Sequence, residues 1–391
     1  MKILIRPVNV SACTTLVQAL TFFTQLSIRQ LQNLKCSVWE NAVKLAAMNR
    51  DDTPTERNPT LADVARHAKV STATVSRCLN SPERVVEKTR TKVLNAVREL
   101  GYTPNFNARA LAAKRTNTIG AIIPTMENAI FARGLQAFQE ELGRNGITLL
   151  VASSSYQADT EEEQIRSLVS RGADALFLIG YNRDPKIYDF LRRQGIPAVV
   201  AWVFDQDAVV PTVGFDNFTA MKSLAEQVIA MGHRRIATIT AAVHDNDRAS
   251  ERLRGIHAAM AEADIPAEQL SILETTYGID EGGAALEKVL GLPDRPTVVM
   301  CGNDVLAVGA IARAKEMGLR IPDDLSVTGF DDIEIAKISS PTLTTVHVPH
   351  RRMGKEAAIL LIDMVNDKDT NMKILIETSL QIRDSLAPPR D

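Results

Sequence analysis

Residues 60–80 constrain this chain most, because they hold two short helical patterns joined by a turn too tight for an ordinary helical hairpin. The first pattern places apolar residues at the i, i+3, i+4 and i+7 positions of one helix face, namely Leu61, Val64, Ala65 and Ala68. Thr60 and Asp63 have the spacing of a capping box, and Ser71 can cap the second helix. The spacing therefore predicts a helix-turn-helix.

The predicted second helix has two chemically different faces. Its apolar face consists of Val75, Cys78 and Leu79. Its opposite face is small, polar and basic, and consists of Thr72, Ala73, Ser76, Arg77 and Asn80. A recognition helix presents such a face to the major groove of DNA. A third helical pattern follows and ends at Gly101, a residue type that commonly terminates helices. A small helical subdomain without any ligand is the alternative for this segment.

Charge is distributed unevenly along the chain. Residues 58–118 hold eleven Lys or Arg against four Asp or Glu, a net charge of +7, whereas residues 119–391 hold 27 basic and 39 acidic side chains, a net charge of −12. Affinity for nucleic acid is mostly electrostatic, so a basic segment can bind a polyanion while the acidic remainder stays off it. The asymmetry favours double-stranded DNA as the partner of the N-terminal segment.

The segment after the third helix adds a second predicted DNA contact. Residues 107–113 are rich in Ala, and Leu111 is the large apolar side chain near their end. A helix this short is not stable alone, so it is expected to form together with a symmetry mate and DNA. Leu111 could then insert between base pairs in the minor groove and kink the duplex.

These motifs resemble the lactose-repressor (LacI/GalR) family of bacterial transcription regulators, and the resemblance spans residues 60 to about 386. The motifs that carry it are Leu61-Ala62-Asp63-Val64-Ala65, Thr74-Val75-Ser76-Arg77, Gly101-Tyr102 and Ala108-Arg109-Ala110-Leu111.

The resemblance assigns roles to individual residues of the helix-turn-helix. It implies that bases are read by Thr72, Ala73 and Arg77. It implies that phosphate or capping contacts are made by Ser71, Thr74, Ser76 and Asn80. It implies that Leu111 is the intercalating hinge residue, and Thr60 and Asn107 complete the predicted DNA-contacting set. Arg77 is the best base reader on chemical grounds, because a guanidinium can bond guanine O6 and N7 together.

From residue 118 the chain alternates short apolar runs with amphipathic segments of helical spacing. Continuous Val, Ile and Leu runs between helices predict parallel sheets that are buried on both faces. About 270 residues is large for one such core and suits two. The sequence therefore predicts a doubly wound α/β body with two lobes.

The family resemblance implies a periplasmic-binding-protein-like body with a cleft between two α/β subdomains. It also implies that the chain crosses between them near Thr212–Asp216, Ile321 and Arg351. The expected domains are a helix-turn-helix domain at 58–103, a hinge helix at 104–117 and an effector-binding and dimerisation domain at 118–391. Subdomain 1 is expected at about 118–212 and 321–350, and subdomain 2 at about 213–320 and 351–391.

Ligands of open α/β sheets bind beyond the carboxyl ends of the strands. Asp304 and Trp202 each follow or end a predicted strand, and residues 244–252 follow a third. The resemblance implies an effector-binding aspartate at Asp304, an arginine at Arg252 and an aromatic wall at Phe131. The full predicted effector-contacting set is Phe131, Trp202, Asn246, Arg248, Arg252, Tyr277 and Asp304. Carboxylate and guanidinium groups together suit a polyhydroxylated ligand that carries a carboxylate or phosphate.

Four of these residues also have structural alternatives. Asp304 could cap the helix that follows it, a role for which Asn303 competes. Arg252 could form a structural ion pair, and Phe131 could be plain core. Trp202 departs from the family, many of whose members carry an acidic or small polar residue there, so it could stack on a sugar ring or only fill the cleft.

Catalytic and metal-binding motifs are missing from the sequence. It contains no Walker-type glycine loop, no G-x-S-x-G and no H-E-x-x-H. The four cysteines are far apart, lack zinc spacing and agree with a reducing cytoplasm; they are Cys13, Cys36, Cys78 and Cys301. The sequence therefore predicts a cytoplasmic protein that is not an enzyme and binds neither a metal nor a cofactor.

The first 57 residues do not fit the family, whose members normally begin within a dozen or so residues of the helix-turn-helix. Met48 lies at that distance, so we interpret residues 1–47 as an upstream translation or a poorly ordered extension. The apolar run at 14–28 is too short and too polar to span a bilayer.

The sequence thus favours an allosteric repressor. A homodimer would bind a near-palindromic operator, and a sugar, sugar-acid or phosphate effector between two lobes would control its affinity. Residues 215–218 and the general pattern of the body resemble those of regulators of gluconate and related sugar-acid pathways. A sugar-binding receptor without DNA function is the alternative, and the basic head disfavours it.

Overall fold

The computed structural model describes residues 58–103, 115–127, 129–368 and 372–390. The chain divides into two compact units, Met1–Pro104 and Asn105–Asp391. The predicted extension at 1–57 and most of the predicted hinge helix lie outside the described residues, as do Asn107 and Leu111. The roles assigned to these residues stay predictions.

The first unit is built on three helices in its described part, α1 (Leu61–Ala68), α2 (Thr72–Asn80) and α3 (Glu87–Leu100). The capping box before α1 is confirmed, since Thr60 accepts from the Asp63 N–H and the Asp63 carboxylate accepts the Thr60 N–H at 2.9 Å. Lys69 ends α1 in the left-handed conformation, and Ser71 caps α2. The side chains buried between the helices are Val64, Ala65, Ala68, Val75, Cys78, Val93 and Ala96. The predicted helix-turn-helix is therefore present.

The second unit is built from strands and helices that largely alternate along the chain. Its strands are β1 (Thr118–Ile123), β2 (Thr148–Ser153), β3 (Ala175–Ile179), β4 (Ala198–Ala201), β5 (Thr212–Gly214), β6 (Ile236–Thr240), β7 (Leu270–Glu274), β8 (Val298–Cys301), β9 (Ser326–Thr328), β10 (Thr345–His347), β11 (Lys373–Leu375) and β12 (Ser379–Gln381). Its helices are α4 (Ala129–Arg144), α5 (Ala158–Ser170), α6 (Pro185–Gln194), α7 (Asn217–Ala230), α8 (Asp247–Glu262), α9 (Ile279–Leu290), α10 (Asp304–Glu316), α11 (Glu334–Ile338) and α12 (His350–Val365). None of the helices in the described ranges is long and apolar enough to cross a membrane.

Two parallel sheets form the two lobes of this unit, as the sequence predicts. In the described residues the first sheet has the order β11-β5-β4-β3-β1-β2 and the second the order β7-β6-β8-β9. The strands β1 and β3 are buried along their whole length, as expected for a sheet covered on both faces. A small antiparallel pair, β10 with β12, lies outside both sheets. The predicted fold class is confirmed.

Helices α4 and α12 pack closely against each other in the first lobe. A Cβ atom on Gly354 would lie 1.9 Å from the carbonyl oxygen of Gly134, so only glycine permits this backbone approach. The contact joins the first helix of the lobe to a helix more than 200 residues later in the chain.

The expected subdomain boundaries are wrong in the C-terminal third of the chain. Strand β9 pairs with β8, so most of 321–350 belongs to the second lobe, not the first. Helix α12 packs on α4 and β11 pairs with β5, so 351–375 belongs to the first lobe. The apolar pattern marks these segments as buried, but it carries no information about which sheet edge each segment joins. In the described chain the later crossings lie near His350 and just after β11.

Candidate functional site

The exposed face of α2 carries the residues that the sequence assigns to DNA. Thr72, Ala73, Arg77 and Asn80 are exposed, while Thr74 and Ser76 are half-buried beside them. Val75 and Cys78 point into the helical core, so the two faces predicted for this helix are observed. In the described part of the unit Arg77 forms no ion pair, which leaves its five N–H donors available.

Hydroxyl groups at the start of the two helices are partly engaged within the protein. The Ser71 and Thr74 hydroxyls lie 2.9 Å apart, and the Ser71 oxygen also caps α2. The Thr60 hydroxyl donates to Asp63 at 2.6 Å, so its first role is to cap α1. Asn80 donates to the Ser76 hydroxyl at 3.2 Å, which orders the end of the exposed face.

The second unit has a cleft beyond the carboxyl ends of the strands of both sheets, where the sheet rule predicts a ligand. Its innermost chamber has a volume of about 20 Å³, and six of the seven predicted effector residues line it: Phe131, Trp202, Asn246, Arg248, Arg252 and Tyr277. An outer cavity of about 760 Å³ shares the walls Tyr156, Asn246 and Tyr277 with this chamber. The inner chamber thus has room for roughly one water molecule.

Arg252 is buried and held by neutral partners. Its Nε donates to the Asn217 side chain at 2.9 Å, another guanidinium N–H donates to the Gly302 carbonyl, and the group lies 4.1 Å from the centre of the Phe330 ring. The alternative ion pairs do not form, because Glu251 pairs with Arg254 and Asp247 pairs with Arg248. Arg252 therefore brings a positive charge to the chamber that is not neutralised by either of these two carboxylates.

Asp304 is placed differently from the other predicted effector residues. It is fully buried as the first residue of α10, for which Asn303 is the N-cap. Its carboxylate accepts the Ile333 N–H at 2.8 Å and the Thr345 hydroxyl at 2.6 Å. Burial raises the pKa of this carboxyl well above its usual value. The side chain joins two loops of the second lobe and does not line the chamber.

Asp331 supplies the carboxylate that the sequence argument assigned to Asp304. It follows β9, lines the chamber, has a positive φ of 105° and is 1% exposed. Among the described residues neither carboxylate oxygen accepts a hydrogen bond. Burial raises its pKa to about 6, although Arg252 and Arg248 pull the pKa down. The strand-end rule would have found it if β9 had been recognised as a strand of the second sheet.

Two aromatic side chains, Trp202 and Phe131, form one wall of the chamber. Trp202 has a φ of 64°, and its ring lies 5.3 Å from Phe131 and 5.9 Å from His350, with which it stacks. Phe131 lines the chamber and also belongs to the hydrophobic core, so its position fits both interpretations, as an aromatic wall and as a core residue. His350 Nε2 lies 3.6 Å from Asp331, and burial lowers the pKa of His350 to about 3. The imidazole is therefore neutral beside the carboxylate.

Four residues of the chamber were not predicted from the sequence: Ile130, Tyr156, Asn303 and Asp331. Tyr156 comes from the first lobe and meets Tyr277 of the second at a ring distance of 5.7 Å. In the described ranges no group of three or more His, Cys, Asp or Glu side chains could hold a metal ion.

Two family profiles match the chain. One, described as bacterial regulatory proteins, lacI family, matches residues 60–105, and the other, described as a periplasmic binding protein-like domain, matches residues 225–386. The chain is 34% identical over 320 residues to the HTH-type transcriptional repressor PurR of Vibrio atlanticus (strain LGP32), a match that covers 81% of this chain and 94% of that protein.

Solved structures with the same architecture cover both units. A LacI-family transcriptional regulator from Silicibacter pomeroyi has a TM-score of 0.77 at 26% identity and covers 84% of this chain and 99% of its own. The lac repressor dimer bound to operator and the anti-inducer ONPF has a TM-score of 0.76 at 26% identity and covers 85% and 100%.

Proposed function

The chain belongs to the lacI family of bacterial regulatory proteins and is a DNA-binding transcriptional repressor with a small-molecule effector; from this premise we propose which residues read the operator and which chemistry the effector carries. The observation that carries the first part is the exposed Arg77, which forms no ion pair with the described residues and lies on a helix whose other face is buried in the core. Arg77 reads a guanine in the major groove, and Thr72 and Ala73 make methyl contacts beside it.

The operator is near-palindromic and the repressor is a homodimer. The supporting observation is that the similar lac repressor is a dimer when bound to its operator. Two recognition helices related by a two-fold axis read half-sites about one helical turn apart. Asn107 and Leu111 are proposed to complete the contact in the minor groove.

The effector is a polyhydroxylated molecule with an acidic group, such as a sugar acid or a sugar phosphate. Arg248 and Arg252 face the chamber with one carboxylate, Asp331, so guanidinium groups outnumber carboxylates in its lining, and Asp247 pairs with Arg248 from outside that lining. Asp331 accepts from ligand hydroxyls, the guanidinium groups bind the ligand anion, and Trp202 stacks on the ring. The chamber holds only about 20 Å³, so the lobes open to admit this ligand.

The direct test measures operator and effector binding with the same protein. We expect the full chain to bind a fragment of its own promoter more tightly than sheared genomic DNA at equal salt. A thermal-shift screen with sodium gluconate and hexose phosphates is expected to raise the melting temperature, and the active compound is expected to change operator affinity. Equal affinity for promoter and sheared DNA, with and without those compounds, contradicts the proposal.

We infer further that the protein acts in the cytoplasm, where its DNA partner is, and that it catalyses no reaction. The support is the family, whose members are regulators.

A further inference from the structure

A backbone N–H of the first lobe is bonded to a carboxylate of the second lobe. Tyr181 lies just after β3, in the first lobe, and Asp247 is the first residue of α8, in the second. The Tyr181 N–H donates to Asp247 Oδ2. The Asp247 side chain is 21% exposed, so water screens this contact only in part.

The other oxygen of the same carboxylate holds Arg248. Asp247 Oδ1 accepts from the Arg248 backbone N–H and from Arg248 Nη1, both at 2.8 Å. Arg248 is 9% exposed at its side chain and lines the inner chamber. One carboxylate therefore joins the first lobe, the second lobe and a cation that faces the ligand.

Gly180 shows how closely the two lobes approach at this point. Its φ is 72°, a conformation that glycine adopts most readily. A Cβ atom there would lie 1.9 Å from Arg248 Nη1 and 2.7 Å from Asp247 Oδ1. The end of β3 thus rests directly on the Asp247–Arg248 pair, with no room for a side chain between them.

We propose that Asp247 is a positioning residue of the effector response, which latches the lobes over the closed chamber and holds Arg248 in place. The chamber of about 20 Å³ admits a ligand only after the lobes separate, and separation breaks the Tyr181–Asp247 bond. Hydrogen bonds to charged groups are stronger than neutral ones, so this bond contributes to keeping the ligand-free protein closed. The proposal rests on the proposed function only in the claim that Arg248 meets the effector.

Hydrogen exchange tests the latch without DNA or effector. In Asp247→Ala we expect the amide of Tyr181 to exchange at least about tenfold faster than in the wild type, measured by mass spectrometry on a peptide that contains it. Asp247→Asn keeps an oxygen that can accept from Tyr181, so we expect it to restore most of the protection. Arg248→Met leaves the carboxylate in place and is expected to have a smaller effect than Asp247→Ala.

Asp245→Asn is the matched control, because Asp245 is 71% exposed and, among the described residues, pairs with His244 outside the latch. Folding of Asp247→Ala is checked at Ala249, whose N–H is bonded to the Asn246 cap and is expected to keep its protection. Wild-type exchange at Tyr181 in Asp247→Ala overturns the latch, and so does an Arg248→Met effect as large as that of Asp247→Ala.

Acrylamide quenching of Trp202 fluorescence distinguishes opening of the lobes from loss of the Tyr181–Asp247 hydrogen bond alone. The chain has two tryptophans, so in a Trp39→Phe background the fluorescence reports Trp202 alone. We expect acrylamide to quench Trp202 more strongly in Asp247→Ala than in Asp245→Asn. Unchanged quenching overturns the claim that Asp247 closes the chamber. These results hold or fail whether or not any promoter or sugar acid binds, so they are distinguishable from failure of the proposed function.

Discussion

The two units differ in how far apart in sequence their functional residues lie. The exposed face of α2 is built within residues 72–80, from neighbours on one helix. The inner chamber draws side chains from Ile130 to Asp331, on seven separate segments of both lobes. The helix face follows from periodicity alone, whereas the chamber exists only because two sheets align their carboxyl ends. The comparison shows that the sequence predicts the residues of a site well when the site is one face of a single periodic element.

Asp304 and Asp331 allow the sharpest test of this contrast, because each is a buried carboxylate near the same loops. Asp304→Ala leaves the Ile333 N–H and the Thr345 hydroxyl without their acceptor, so we expect a loss of about 2–4 kcal/mol in the free energy of unfolding. Urea denaturation measures it. A loss below about 0.5 kcal/mol would mean that the carboxylate is not structural.

Asp331→Asn is expected to show the opposite pattern. Its carboxylate accepts no hydrogen bond in the described residues, so its replacement costs little stability. Loss of a charged acceptor for ligand hydroxyls is expected to weaken effector binding by about 1.5–3 kcal/mol. Thermal shift with the effector found in the screen measures both quantities. Normal effector affinity in Asp331→Asn, with weak affinity in a folded Asp304→Asn, would restore the assignment made from the sequence.

Arg77→Ala tests the unit whose site is local. We expect a loss of about 1–3 kcal/mol on the promoter site and relaxed specificity at one base pair, with little change on sheared DNA. Fluorescence anisotropy at fixed salt measures both affinities. Arg98→Ala is the control, since Arg98 is exposed on α3 and bonded to Asn95. An equal loss on both DNAs identifies Arg77 as a phosphate contact.

The smallest expected effect is on how the free energy of unfolding depends on pH. The shifted pKa values of Asp331 and His350 change this dependence in opposite directions. The pKa of Asp331 is raised from 3.8 to about 6, so its contribution to stability is lost as pH rises through that window. The pKa of His350 is lowered from 6.5 to about 3, so its contribution is lost as pH falls through that window. Between about pH 4 and 6 the two slopes largely cancel.

Single variants remove the cancellation. In His350→Phe, which keeps an aromatic ring against Trp202, the slope of unfolding free energy against pH between 4 and 6 is expected to become more negative than in the wild type. In Asp331→Asn the slope is expected to become more positive. Groups distant from the pair titrate alike in all three proteins, so the differences report on this pair and on its neighbour Asp304. Two variants with the same change of slope would show that the groups are not opposed.

The sequence predicted six residues of the chamber but not its carboxylate, Asp331. Arg248 and Arg252 lie four residues apart at the start of a helix, and Trp202 ends a strand of four apolar residues, so the strand-end rule found them. Asp331 follows β9, a strand of three residues that is hard to recognise without its partner β8. Tyr156 adopts a positive φ in a loop that no periodic pattern describes.

The sequence by itself determined the helix-turn-helix, the two faces of α2, the charge asymmetry and the two-lobed parallel α/β class. Each of these follows from interactions between residues near in sequence or from summed composition. Only the tertiary structure decided which lobe holds α12 and β9, that Asp331 and not Asp304 faces the chamber, and that Asp247 reaches across to Tyr181. Those outcomes depend on contacts between distant segments, and a pattern of buried and exposed residues does not say which partner each buried face will meet.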